Sequence, residues 1–203
     1  VDVLSLQETH AITEGEFTSW LSSASSNGLN NISYHCVSSP GANRSAGVAI
    51  LYRPEFDLVG WSRDRDGRFV RCELAKEDQS LQVCNVYGPN QAKAGSEFFG
   101  SLLALIDPNT PTVLCGDFNT VVDAKVDRFG CNPLSPWAYN WPASLAVLVE
   151  TLDLHDAWRL HHPRDNEYTW RRPNGSQGSR LDMFWLSSLL LPFILRVDIL
   201  PFF

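Results

Sequence analysis

Six short stretches of strand character run the length of the chain and most narrow what it can fold into. They are "LSLQ" (4–7), "ISYHCVSS" (32–39), "GVAILYRP" (47–54), "RFVRCELAKEDQSLQVCNVY" (68–87), "TVLC" (112–115) and "RLDMFW" (180–185). The fourth reads as two strands around a polar turn at "KEDQ". Amphipathic stretches lie between them: 11–28, with Thr13 as a cap before Glu16; 96–106, with Phe98, Leu102 and Leu105 on one face; and 143–152. Strands and helices alternate irregularly, so the class is α/β or α+β. The chain has 203 residues and shows no repeat, linker or low-complexity tract, so a single domain over 1–203 is expected.

Composition closes off several classes. Hydrophobic residues make up 44% and charged residues 19%, a globular balance. The net charge of −7 argues against a domain that merely coats DNA phosphates, but not against an enzyme whose own carboxylates hold a metal. Five cysteines without a CxxC pair read as buried hydrophobes in a reducing compartment rather than a zinc site. The apolar C-terminal stretch from Phe184 carries Pro192, Arg196, Asp198 and Pro201, a poor membrane span. It reads as a core strand, a short helix and another core segment.

The strand ends carry the chemistry. Glu8 follows "LSLQ"; Tyr87 and Asn90 follow "LQVCNV"; Asp117 and Asn119 follow "TVLC" across Gly116; Asp182 lies within "RLDMFW". A buried carboxylate is costly unless paired or metal-bound. Converging ends would give an oxygen-lined pocket suited to Mg2+ and phosphoryl transfer. Singly, each has an ordinary explanation: a solvated strand end, a Gly-Asp turn, a packed tyrosine, an Asp182–Arg180 ion pair.

Together and in order, "LQET" (6–9), "GVAILYR" (47–53), "NVYGPN" (85–90), "GDFN" (116–119), "YTW" (168–170) and "SRLD" (179–182) resemble the endonuclease/exonuclease/phosphatase superfamily. Through "DAWRLHHPRDNEYTW", the chain looks most like the apurinic-type endonuclease domains of LINE-type (non-LTR) retrotransposons. The resemblance implies a DNase I-like fold, two β-sheets packed face to face with helices outside (four layers, α/β/β/α). It implies an Mg2+-dependent phosphodiesterase, with Mn2+ able to substitute, that nicks double-stranded DNA. The exposed 3′-hydroxyl would prime a covalently linked reverse transcriptase. The resemblance further implies a monomeric domain, no membrane, and action in the nucleus after synthesis in the cytoplasm.

By the same resemblance Glu8 binds the metal and Asp117 activates or orients water. Asn119 bonds phosphate or water, Tyr87 donates to phosphate with Thr169 as a possible second donor, and Asp182 orients a histidine. Gly116 would turn the backbone to present Asp117 and Asn119. Asn90, Thr169, Arg171, Arg172, Asn174 and Arg180 are the candidate DNA contacts. The loop 171–178 reads either as a hairpin that reaches into a groove or as a solvated turn. Asn43 and Arg44 are further candidates for the DNA backbone; Trp137 and Trp141 either pack or stack on a base. Asp127 and Arg128 are expected to pair, His155 to pack or cap locally, and His161–His162 to lie in a solvated loop. The family's N-terminal asparagine and C-terminal Ser-Asp-His would fall outside residues 1–203, so a domain truncated at both ends is expected. Competing readings are a DNA-repair apurinic endonuclease, another phosphatase or phosphodiesterase of the superfamily, and a non-catalytic docking module.

Overall fold

The computed structural model describes residues 1–26, 33–130 and 142–200. The described residues fall into two compact units, residues 1–87 with 113–116, and residues 88–112 with 117–203.

In the first unit, β1 (Val3–Gln7), β2 (His35–Ser39) and β3 (Val48–Tyr52) form an antiparallel sheet with β3 central, flanked by the helix α1 (Glu14–Ser26). Thr13 Oγ1 accepts from Glu16 N while Glu16 Oε2 accepts from Ile12 N, a reciprocal cap that starts α1. A second sheet runs β4 (Asp57–Arg63), β5 (Phe69–Lys76), β6 (Gln79–Tyr87), β7 (Thr112–Asp117) in that order. Its inner face (Val70, Cys72, Leu74, Val83) packs on Val37, Val48, Ile50 and Tyr52 of the first sheet. Ala49 and Leu51, on the opposite face of β3, pack with Ala11 and Phe17, the latter from α1. Period-two alternation thus makes β3 buried on both sides, a helix–sheet–sheet stack.

Asn85 fastens the two sheets where the polar ends begin. Its amide donates to Leu6 O and Ala49 O, each at 2.9 Å, and its carbonyl accepts from Gln7 Nε2 at 2.6 Å. Cys72, Cys84 and Cys115 are buried, as expected; burial pushes the Cys72 thiol up to about 12 and Cys115 to about 11.

The second unit holds α2 (Ala92–Leu102), β8 (Arg128–Phe129), α3 (Ala143–Thr151), β9 (Leu154–Asp156), α4 (Ala157–His161), β10 (Trp170–Arg171), β11 (Gly178–Ser179) and β12 (Asp182–Ser187). β12 pairs antiparallel with β9, and β10, β11 and β8 form a small antiparallel sheet with β11 central.

Several expectations need correction. The buried face of α2 is Gly95, Phe99 and Leu102 rather than Phe98, Leu102 and Leu105, because the Phe99 ring stacks on Phe118 at 5.9 Å. The C-terminal stretch begins with the strand β12 and a 3-10 helix, Ser188–Phe193, but the residues beyond Phe193 are not core. Leu195 is 96% exposed and Leu200 74%. Gly116 does not break its strand; β7 continues to Asp117. The expected end of α1 near Gly28, Trp137, Trp141 and Cys131 lie outside the described residues, as does the side chain of Asn43. Among the described residues no helix is long and apolar enough to cross a membrane.

Candidate active site

In the first unit the end of β1 delivers Glu8 to the surface in the left-handed region, φ 52°. A glutamate gains nothing locally from that conformation, which carries a cost on the order of 1 kcal/mol. Its Oε1 accepts the Tyr87 hydroxyl. Tyr87 is in turn held by Arg68, whose Nη1 donates to Tyr87 O at 3.0 Å and whose guanidinium lies 5.1 Å from the ring centroid. The structure therefore brings Glu8 and Tyr87 together. Tyrosine has one hydroxyl proton, here given to Glu8; donation to a phosphate oxygen means exchanging that acceptor.

In the second unit Asp117 closes β7, and its Oδ1 accepts the backbone N–H of Asn119 at 2.8 Å. This Asx turn holds Asn119 at φ 50°, a conformation asparagine tolerates. The Asn119 amide donates to Gly88 O at 2.8 Å, leaving its second N–H to serve a ligand. Asn90 is exposed and lines with Asn119 a cleft of about 70 Å³ floored by Phe99 and Phe118. Phe118 N donates to Leu181 O at 2.8 Å. Thr169 Oγ1 accepts from both Leu181 N and Asp182 N, at 2.9 and 3.0 Å. Asp117, Asn119, Thr169 and Asp182 are thus linked through three backbone segments of one unit. In this structure the Thr169 hydroxyl oxygen serves the backbone, and Asp182 is exposed.

The 171–178 loop folds as a hairpin: Trp170 and Arg171 pair with Ser179 and Gly178, and Arg172 N donates to Gln177 O. The Arg171 guanidinium lies 5.2 Å from the Tyr168 ring centroid and 5.6 Å from that of Phe129, and Arg171, Arg172 and Asn174 are all exposed. Asn174 Oδ1 accepts from Ser176 N and Oγ, which rigidifies the tip.

Arg180 is not available to DNA. It is fully buried, with Nε and Nη2 on the two oxygens of Asp127 at 2.8 and 3.2 Å and Nη2 also on Asp156 Oδ2 at 2.6 Å. Asp127 accordingly pairs with Arg180 and Arg159, and Arg128 bonds Ser179 Oγ instead. Burial raises the Asp127 pKa, but the Arg180 hydrogen bonds and charge, the Asp123 N–H and Arg159 outweigh it and hold the carboxyl below its ordinary value. Asp156 also caps α4, accepting from Arg159 N, which an aspartate directly before "AWRL" could have signalled. Among the histidines, His155 bonds Asp153 locally but also Ser188, 33 residues on, so its contacts are not only local. His162 is not a loose loop residue. It stacks on Trp158 and bonds Asp165 Oδ2 at 2.9 Å and Val197 O at 3.0 Å. Arg44 pairs with Glu16.

Among the described residues no group of three or more His, Cys, Asp or Glu gathers to hold a metal. The oxygen set nonetheless fits a hard cation: Mg2+ takes one or two carboxylates, keeps several waters and completes its shell with substrate phosphate. Glu8, exposed and joined to the Tyr87 hydroxyl, is a carboxylate of that kind in the first unit.

Helix, sheet and sheet stacked in the first unit, with exposed carboxylates on strand ends, define the DNase I-like class of hydrolytic folds. Solved structures bear this out. The catalytic domain of Xenopus laevis APE2 superposes with a TM-score of 0.70 at 16% identity, over 95% of this chain and 76% of that one. The AP endonuclease LMAP from Leishmania major gives 0.68 at 18%, over 95% and 71%. An AP endonuclease from Archaeoglobus fulgidus gives 0.68 at 20%, over 94% and 78%. The sequence profile of the Endonuclease/Exonuclease/phosphatase family matches residues 1–201, and the chain belongs to that family. It is also 27% identical over 154 residues to the Transposon TX1 uncharacterized 149 kDa protein of Xenopus laevis, covering 72% of this chain. The chain spans 11% of that relative's length.

Proposed function

We propose that this chain is a Mg2+-dependent DNA endonuclease that nicks one strand of double-stranded DNA, acting as the endonuclease domain of a non-LTR retrotransposon. The observation that carries the reading is the transposon protein's similarity over most of the chain, combined with membership of a nuclease and phosphatase family. The nick leaves a 3′-hydroxyl for an attached reverse transcriptase to extend, which sets the site of action in the nucleus.

Local geometry supports a role for each residue. Glu8 is the residue that holds Mg2+, or Mn2+ in its place. A divalent cation, when bound, supplies a Lewis acid for the phosphoryl oxygens. Asp117, anchored by its own Asx turn, aligns and deprotonates the attacking water. Asn119 and Tyr87 donate to oxygens whose charge grows in the transition state. The hairpin 171–178 offers Arg172 and Asn174 to DNA as a preformed element and therefore acts on the choice of site. Replacing 171–178 with a short Gly-Ser turn should broaden the cleavage pattern on a sequencing ladder without abolishing nicking; an unchanged ladder would leave the hairpin no part in site choice.

A second reading, a repair enzyme specific for abasic sites, is favoured by the AP endonuclease folds among its structural relatives. One experiment separates the readings. Supercoiled plasmid and an abasic oligonucleotide duplex are each incubated with the protein and Mg2+, with Asp117→Ala as control. Single nicks in intact plasmid support the retrotransposon reading. Cleavage confined to the abasic duplex supports repair, and no cleavage of either supports a docking module.

A further inference from the structure

Resting on the endonuclease reading, we infer that Arg180, clamped by Asp127 and Asp156, is a positioning residue that holds the three backbone segments carrying Asp117, Thr169 and Asp182 in register. The guanidinium is fully buried and bonded to two carboxylates that lie 53 and 24 residues away in the chain. Arg159 supplies a second cation to Asp127, so the cluster balances two carboxylates with two guanidiniums. Trp158 covers it, with the Arg180 guanidinium 5.4 Å and the Arg159 guanidinium 4.8 Å from its ring centroid. Arg180 Nη1 is buried with no hydrogen-bond partner among the described residues, a cost that packing alone would not retain. Aliphatic residues of the same volume would stabilise such an interior at least as well.

What the clamp provides is direction. Arg180 N donates to Asp127 O, so backbone and side chain of the same residue both lock onto Asp127. The next residue, Leu181, accepts from Phe118 N, inside "GDFN", and donates to Thr169 Oγ1. Asp182 N donates to the same hydroxyl. A rotation of Arg180 would therefore shift the Asp117–Asn119 turn, Thr169 and Asp182 together. Catalytic alignment is sensitive to such shifts, with about 1 Å worth on the order of 100-fold.

Two variants test this. Arg180→Lys keeps the charge but loses the planar fork. Asp156→Asn keeps a competent cap for α4 but removes one charge. Leu148→Ala, a cavity in α3, which carries no clamp residue, is the control for simple destabilisation. Plasmid nicking is measured with each protein shown to be folded. The expected result is a fall in kcat on the order of 10- to 100-fold for both clamp variants, with KM within about twofold of wild type, and no kcat change for Leu148→Ala. Unchanged kcat in the clamp variants, or a rise in KM alone, would overturn the positioning role. Amide exchange at Phe118, Leu181 and Asp182 gives a readout that does not depend on nicking. It should accelerate about tenfold or more in the clamp variants relative to Leu148→Ala. A wild-type chain that nicks nothing sinks the nuclease reading, while unaltered protection of these three amides sinks the clamp.

Discussion

Glu8 with Tyr87 and Asp127 with Arg180 are both carboxylates gripped by a donor far away in sequence, yet they sit at opposite extremes of exposure. Asp127 is 1% exposed and accepts from four donors: Arg180 Nε and Nη2, Arg159 Nη2 and Asp123 N. Its lone pairs are committed, and it can do no chemistry. Glu8 is exposed, and its Oε1 is held by the Tyr87 hydroxyl. An exposed pair of this sort contributes little to stability. Its left-handed backbone costs energy rather than returning it. The contrast separates a carboxylate kept for reaction from one kept for architecture, by counting filled acceptor sites rather than by residue type.

Stability should therefore respond strongly at Asp127 and hardly at Glu8, whereas activity should fall at both, through lost alignment at Asp127 and through the metal at Glu8. The largest effect is expected at Asp127→Ala, which strands the Arg180 charge in the interior. Urea unfolding should show a loss of about 3–5 kcal/mol. A loss below about 1 kcal/mol would mean the cluster is hydrated and the contrast false. Glu8→Ala should leave the urea midpoint almost unmoved, while nicking falls by roughly 10²- to 10³-fold and calorimetric Mg2+ titration loses its signal. Unchanged titration would remove Glu8 from the metal.

A smaller, pH-linked effect sharpens the same division. Because the Asp127 carboxyl is held below its ordinary value in the folded chain, its contribution is complete above the ordinary value of 3.8 and is lost as pH falls through the lowered one. The urea stability of wild type over Asp127→Asn should thus be constant near neutrality and shrink in acid below that value. A gap that persisted there would place the stabilisation in packing instead. The smallest effect concerns His162. Its two ring nitrogens face Asp165 and Val197 O, and the Asp165 hydrogen bond, then the Val197 carbonyl, raise its pKa against the opposing effect of burial, with the Asp165 and Asp198 charges adding to the rise. Protonation favours the folded contact, so the tether is complete below the ordinary 6.5 and weakens as pH rises through the raised value. Amide exchange across 194–200 should quicken over that rise in wild type and be insensitive to it in His162→Phe.

Much of this is legible from the chain. The strands β1–β3, β5–β7 and β12, the Thr13–Glu16 cap, the buried cysteines and the order of "LQET", "GDFN" and "SRLD" are local patterns, and local patterns predict local structure. In contrast β4, whose residues are mostly exposed, gives no such signal. Arg180 misleads because its partners are remote, whereas Arg128 stands directly beside Asp127 and offers a false match. Phe98 and Phe99 are adjacent on a helix, so periodicity alone does not choose between them; the ring of Phe118 does. The apolar tail after Phe193 misleads differently, since composition reports a preference for burial but supplies no surface to be buried against.

Two glycines bear on how the protein could be recoded. A side chain at Gly116, where φ is 131°, would begin inside the van der Waals envelope of Val86 O, and one at Gly88 inside that of Phe118 O. Backbone oxygens already occupy those volumes, so no rotamer relieves either clash. In a saturation library both columns should collapse to the parent residue whatever selection is applied. The exposed positions 172–174 and 176 face no such veto, and diversity aimed at a new target sequence is best spent there, with Gly175 kept for its φ of 70°.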